Sequence, residues 1–100
     1  MRMMMKVKMG TEAGSRAVAD GSMQQVMQQT LSRLSPEASY FGAEDGARTA
    51  FIVFDLKDPA QMPVIAEPLF SKLGATLQIF PVMNLEDLQK GLQQIAQSRS

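Results

Sequence analysis

The stretch Phe51-Ile52-Val53-Phe54, inside a predicted strand over residues 49–55, decides the fold. Four consecutive apolar residues of a strand point alternately to the two sides of a sheet, so both faces of the sheet must be covered. Just before this strand, Glu44-Asp45-Gly46 is a turn signal, because glycine supplies the positive φ that tight hairpins need. The sequence therefore predicts a β-hairpin between strands 38–43 and 49–55.

Before this hairpin, the sequence predicts one strand and one long helix. Apolar side chains at every second position of residues 3–9 indicate a strand with one buried face. A short helical stretch follows until Gly21 interrupts it. A helix over residues 22–34 comes next, because apolar residues recur every three or four positions, with Ser22 as N-cap. Ser35-Pro36 ends this helix, since proline disfavours helical geometry in the preceding residue.

After the hairpin, the sequence predicts a helix, a strand and a last helix. Asp58-Pro59 opens the first helix as N-cap and first-turn proline, and Gly74 ends it. Residues 75–83 alternate as a strand. Asn84 caps the last helix, whose first turn is acidic. The apolar residues of the last helix form one seam: Leu85, Leu88, Leu92 and Ile95.

The predicted order is β-α-β-β-α-β plus a C-terminal helix, the split-βαβ order of a ferredoxin-like α+β domain. Right-handed crossovers place both main helices on one face of a four-stranded antiparallel sheet. The other face then carries side chains too apolar to leave in water, and two sheets packed face to face in a homodimer would cover them. We expect Phe51 with Val53 at this dimer interface, or Ile52 with Phe54 if the other face of strand 49–55 lines it, together with Phe80.

Three segments carry a family resemblance: Pro36-Glu37-Ala38-Ser39-Tyr40-Phe41, Ala43-Glu44-Asp45-Gly46-Ala47-Arg48-Thr49-Ala50 and Ile65-Ala66-Glu67-Pro68-Leu69-Phe70. They resemble segments of a group of short bacterial proteins in the dimeric α+β barrel superfamily. In that superfamily two ferredoxin-like domains join their sheets into one barrel. The resemblance covers nearly the whole chain and implies a homodimer. It implies no reaction, because members of the superfamily include cofactor-independent monooxygenases, muconolactone-isomerase-like enzymes and heme-dependent enzymes.

Size and charge narrow the classes of function. One hundred residues fit one domain, which we assign to residues 1–96, with residues 97–100 as a frayed tail. Ten Lys plus Arg balance ten Asp plus Glu, so nucleic acids and anionic membranes are unexpected partners. The absence of cysteine gives no reason to expect an oxidising compartment, and Lys6 and Lys8 interrupt any N-terminal signal sequence. The sequence therefore predicts a cytoplasmic protein.

The chain contains no histidine, which removes the usual general base and the commonest metal ligand. It also removes the proximal ligand expected in the heme-dependent branch. We therefore expect no cofactor and no metal. Acid–base chemistry would have to use a carboxylate, Tyr40, lysine or arginine.

Four residues are candidates for a ligand pocket between a helix and the sheet. Pro68 inside a predicted helix removes a hydrogen bond, and the resulting kink could present Glu67 or a freed carbonyl to a ligand. Alternatively, the kink only bends the helix around a twisted sheet. Arg16 and Asp20 are four residues apart and could hold a polar ligand, or simply pair at the surface. Tyr40 could offer its hydroxyl to the ligand or fill space with its ring.

A second polar set comprises Lys6, Lys8 and Gln78, which share one side of the sheet if the first and fourth strands are neighbours. These residues line either a cavity or the rim of a dimer interface.

The sequence leaves three candidate functions, in this order of preference. The first is a dimer that binds a small organic ligand, and the second is a small cofactor-independent monooxygenase- or isomerase-like enzyme. The third is an RNA-binding module, which shares the strand order but lacks positive charge and a stacking aromatic on the first strand.

Overall fold

The computed structural model describes residues 1–99, which form four strands and four helices. The strands are β1 (Arg2–Met9), β2 (Ala38–Glu44), β3 (Ala47–Asp55) and β4 (Ala75–Pro81). The helices are α1 (Thr11–Asp20), α2 (Ser22–Leu34), α3 (Gln61–Leu73) and α4 (Leu85–Ser98). The predicted α+β class, with four strands and a C-terminal helix, is confirmed.

The four strands form one sheet in the order β2-β3-β1-β4, and each strand is antiparallel to its neighbours. β1 is therefore central and pairs with strands that lie far along the chain. β2 and β4 are the two edges. This arrangement is compatible with a ferredoxin-like fold.

One face of the sheet is covered by α1, α2 and α3. The odd-numbered residues of β1, from Met3 to Met9, point to this face and are almost fully buried. Ile52 and Phe54 of β3 join them, opposite Met5 and Met3 in the strand register. We call this side of the sheet the helix face. Each such large apolar side chain contributes about 1.5–3 kcal/mol when buried, so the helix face supplies most of the hydrophobic contribution to the free energy of unfolding. The helices supply the other side of the core: Ala17, Val26, Ile65, Leu69 and Leu73.

The opposite side of the sheet, which we call the open face, is less well covered. It carries the even-numbered side chains of β1, since these alternate with the buried ones. Met4 lies opposite Val53 and Phe80, and Lys6 lies opposite Phe51 and Gln78. Phe51, Val53 and Phe80, one of the two predicted interface sets, therefore share the open face, and none of them is fully buried.

Several predicted boundaries were wrong. α3 begins at Gln61 because Asp58 closes a turn before it, where its side chain accepts a hydrogen bond from the backbone N–H of Ala60 at 2.9 Å. Gly21, not Ser22, is the N-cap of α2. The backbone N–H of Ser22 instead donates to Asp20 Oδ1 at 2.9 Å.

At the C-terminal end, β4 stops at Pro81 and α4 continues to Ser98. Part of the predicted frayed tail is thus helical, and Ser100 lies outside the described residues. Asn84 caps α4 as predicted, since its side chain accepts from Asp87 N at 2.8 Å in a reciprocal capping box.

α4 gives the chain an extended shape. The radius of gyration is 16.5 Å and the longest dimension 60 Å, whereas a compact domain of this length has a radius of gyration of about 13 Å. None of the α4 residues, all of which the structure describes, is buried. Within residues 1–99, no helix combines the length and apolarity that crossing a membrane requires.

Candidate functional site

The most developed polar site lies on the open face, where four charged side chains meet. Lys6 Nζ donates to Glu44 Oε1 at 2.6 Å. Lys8 Nζ lies 3.4 Å from the same oxygen and 3.3 Å from Asp45 Oδ2. We call Lys6, Lys8, Glu44 and Asp45 the lysine–glutamate cluster.

The strand register explains how these side chains meet across β3. β1 and β2 are not neighbours, so the lysines must span two inter-strand spacings, about 10 Å. They pass over Ala47 and Thr49 of β3, which are small enough to leave this path free. Asp45 and Gly46 both have positive φ, as a tight type I′ hairpin requires, and this turn holds Asp45 beside Lys8.

Three of the four side chains of the cluster are partly shielded from solvent, whereas Asp45 is largely exposed. The side chains of Lys6, Lys8 and Glu44 are only 24%, 32% and 32% exposed. The hydrogen bond from Lys6 lowers the pKa of Glu44, and Lys8 adds to this effect. The hydrogen bond to Asp45 raises the pKa of Lys8 above its usual range. Glu44 and Lys8 therefore both stay charged around neutral pH.

A cavity of about 390 Å³ opens beside the cluster. Gln78 and Thr76 of β4 form its other wall, together with Leu77. The Phe51 ring lies next to it, with its centroid 5.8 Å from the Lys6 ammonium, within the range of a cation–π contact. The site thus combines ammonium donors, carboxylate acceptors and an amide with an aromatic surface, which suits a small polar molecule with an apolar part.

The sequence identified one half of this site. Lys6, Lys8 and Gln78 lie together beside the cavity, as their placement on neighbouring strands predicts. Glu44 was interpreted only as part of a turn, although it is the shared partner of both lysines. The signal that could have found it is the small residue Ala47, which lies opposite Glu44 and lets side chains reach over β3.

The four predicted pocket residues do not come together. Arg16 and Asp20 are exposed on α1. Arg16 pairs with Glu12 at 3.4 Å, and the pKa of Asp20 is lowered mainly by its hydrogen bonds with Ser22. Tyr40 is 70% exposed and lies on the open face, opposite Phe51, so it is separated from α1 by the sheet.

Glu67 is also exposed, on α3, and none of the cavities described for residues 1–99 includes it in its lining. Its backbone carbonyl accepts a hydrogen bond from Ser71 Oγ at 2.9 Å, as in an ordinary helix surface. Glu67 therefore has no geometric link to Arg16, Asp20 or Tyr40 in this structure.

Pro68 lies inside α3, which continues through it, and the carbonyl that it frees has a partner inside the chain. The missing N–H of Pro68 would have bonded to the Val64 carbonyl, four residues earlier. Arg33 Nη1 of α2 donates to that carbonyl instead, at 3.2 Å. Both residues border a cavity of about 330 Å³ between the end of α2 and the start of α3. This arrangement favours a structural role for Pro68, since the freed acceptor connects two helices.

Among residues 1–99, no group of three or more acidic side chains is arranged to hold a metal ion. No protein-family model matches the chain, and no curated protein is significantly similar to it. The fold therefore defines the class of the protein. It is a small α+β domain with a four-stranded antiparallel sheet, compatible with ferredoxin-like proteins.

Proposed function

We propose that the protein is a homodimer of the dimeric α+β barrel type that binds a small organic ligand between its two facing sheets. The observation that carries this proposal is the composition of the open face. Met4, Phe51, Val53 and Phe80 form an apolar area on it, and the lysine–glutamate cluster with its cavity lies beside that area.

The apolar area supports the dimer. Phe80 is 41% exposed in one chain, and Tyr40 at the β2 edge is 70% exposed. Aromatic side chains of this kind are enriched at protein–protein interfaces and rare on free surfaces in such density. A second sheet placed over the open face would remove these rings from water and turn the open cavity into an enclosed one.

The cluster supports ligand binding more than catalysis. A general acid or base works best with a pKa near the working pH. The pKa of Glu44 is lowered and that of Lys8 is raised, so both move away from neutrality. Groups that stay charged hold a polar ligand well, and the closed barrel would strengthen these contacts by excluding water. A monooxygenase- or isomerase-like activity has no comparable support.

RNA binding also lacks support on this face. The cations of β1 lie beside carboxylates whose negative charge opposes the binding of RNA phosphates: Arg2 beside Glu37 and Asp87, Lys6 beside Glu44, and Lys8 beside Glu44 and Asp45. β1 also contributes no aromatic ring on which a base would stack.

Light scattering on purified protein tests the dimer. We expect twice the 11.0 kDa of one chain at micromolar concentration. Val53→Lys should dissociate the dimer, because it buries an unpaired charge, whereas Gln28→Lys on the exposed side of α2 should leave it intact. A wild-type monomer would contradict the proposal.

Native mass spectrometry of protein purified from its own host tests ligand binding. We expect a small organic molecule to accompany the wild type. Lys6→Met should reduce its occupancy about tenfold or more, since a hydrogen bond to a charged group is lost. Lys72→Met, an exposed lysine of α3, is the matched control and should retain the ligand. Equal retention by Lys6→Met and the control would place the ligand elsewhere.

A further inference from the structure

α4 presents an apolar stripe that its own chain leaves uncovered. The stripe consists of Leu85, Leu88, Leu92 and Ile95, whose exposed fractions are 67%, 43%, 54% and 51%. Their spacing of three, four and three residues places them on one side of the helix. The positions that border this side around the helix, Gln89, Gly91 and Ala96, are uncharged. We call this stripe the α4 seam. Such a seam on a well-capped helix needs an apolar partner.

An apolar groove of matching character lies elsewhere in the same chain. It has a volume of about 240 Å³ and runs between the α1–α2 corner and the edge strand β2. Val18, Met23 and Met27 form its helical wall, and Phe41 of β2 forms the other. Val18 and Phe41 are 55% and 59% exposed, although Phe41 lies on the helix face opposite the buried Ala50.

The α4 seam and the apolar groove of one chain are far apart. α4 starts beside the β4 edge at the Arg2 end of β1, where Arg2 Nη1 donates to Asp87 Oδ2 at 3.1 Å. The groove includes Met9, at the other end of β1, and lies at the β2 edge. The start of α4 and the groove are separated by seven residues along β1 and by three inter-strand spacings across the sheet. These two offsets correspond to a distance of about 27 Å.

The two features also lie on different sides of the molecule. Arg2 belongs to the open face, whereas the groove is on the helix face, so the sheet lies between them. Only residues 82–84 connect β4 to α4, and they span at most about 11 Å. In this structure the α4 seam therefore lies away from the groove of its own chain, and a second copy of the chain can supply that contact.

We infer that the two copies of the proposed homodimer exchange their C-terminal helices, so that the α4 seam of each chain packs into the apolar groove of the other. This inference rests on the proposed dimer. Exchange by a two-fold axis makes the same contact twice and closes the assembly. It explains the extended shape of the single chain as one half of a compact dimer.

The available surface agrees with a stable dimer. Four strands of about eight residues give the open face an area of about 500 Å². The 14-residue α4 adds a stripe of about 200 Å². Together they approach the roughly 800 Å² per partner that a stable interface buries. Neither surface reaches that value alone, so sheet pairing and helix exchange complement each other.

Cysteine cross-linking tests the exchange, because the chain has no native cysteine. Leu92→Cys and Val18→Cys chains carrying different tags are co-expressed, and the purified dimers are treated with a short bismaleimide. We expect a covalent dimer that carries both tags. Each variant expressed alone should give at least about tenfold less covalent dimer, since equivalent residues of an exchanged pair lie apart.

The matched control replaces Leu92→Cys by Gln94→Cys, which lies on the opposite side of α4 and should cross-link at least about tenfold less. Covalent dimers of Leu92→Cys alone would show that α4 pairs with α4 and would overturn the inference. So would a dimer by light scattering that forms no covalent dimer in any combination. A monomer by light scattering would instead contradict the proposed homodimer itself, so the two failures are distinguishable.

Discussion

Glu44 shows how one carboxylate can organise a surface. It accepts a hydrogen bond from Lys6 and lies within ion-pair distance of Lys8, although both lysines come from a strand that is not its neighbour. Exposed ion pairs contribute little to stability, but these side chains are partly shielded and share partners. Their main effect is to fix the positions of donors and acceptors around the cavity.

Glu44→Gln should make stability less sensitive to acid. The folded-state pKa of Glu44 is lowered, so its stabilising effect is complete above the unfolded-state pKa, about 4.3. The effect is lost as pH falls through the lower folded-state pKa. Urea unfolding between pH 6 and 2 should therefore show a smaller loss of unfolding free energy for Glu44→Gln than for the wild type. Parallel curves would contradict this expectation.

Arg33 and Pro68 should be energetically coupled through the Val64 carbonyl. Arg33→Ala should lower the unfolding free energy by about 1 kcal/mol, since that carbonyl loses its donor. In a Pro68→Ala background the new N–H of residue 68 bonds to the same carbonyl, and Arg33→Ala should cost almost nothing. Urea unfolding of the wild type, the two single variants and the double variant measures this coupling free energy. Arg16→Ala should show no coupling with Pro68→Ala. A zero coupling for Arg33 would contradict the structural role assigned to Pro68.

At the residue scale, the sequence predicted single positions where one local rule dominates. Asn84 was correctly assigned as a helix cap because its role depends on residues within one turn. Asp58 was wrongly assigned as a helix N-cap, since a turn with Asx character competes for the same residue types. Glu44 was missed because its partners depend on the register of three strands, which local patterns do not determine.

At the element scale, periodicity was a reliable guide for β1 and α2. The alternation in β1 matches its burial at every position, and α2 spans the predicted residues 22–34. α4 illustrates the opposite case. Its apolar seam was recognised from the sequence, yet periodicity does not say which molecule covers it, and its own chain does not.

Two glycines in or next to helices should respond to alanine with opposite signs. Gly74 ends α3 with φ of 59°, so Gly74→Ala should lower the unfolding free energy by about 1 kcal/mol or more. Gly91 lies inside α4, and an added Cβ there meets nothing within 4 Å. Gly91→Ala should therefore stabilise α4 by about 0.5–1 kcal/mol, visible as increased helical ellipticity. If Gly74→Ala and Gly91→Ala changed the free energy of unfolding equally, the different roles assigned to these two glycines would be wrong.

At the scale of the whole molecule, small-angle scattering can measure how compact the assembly is. A compact assembly of 200 residues has a radius of gyration of about 16–17 Å. This value is close to the 16.5 Å of one chain with α4 extended. We therefore expect the dimer to double the mass of one chain without a larger radius. A dimer with a radius above about 20 Å would mean that the helices project into solvent.

The sheet order has a consequence for how the chain is made. β1 is synthesised before the other three strands, yet its Met5 pairs with Ile52 on one side and with Ile79 on the other. At about 5–20 residues per second, synthesis takes roughly 4–15 s to deliver the second neighbour. During that time the methionine-rich strand β1 lacks at least one of its partner strands. Its pairings with β3 and β4 join residues distant in sequence, and such contacts form slowly even after synthesis. The nascent chain should thus depend on early protection of β1, and conditions that shorten this interval should improve the yield of folded protein.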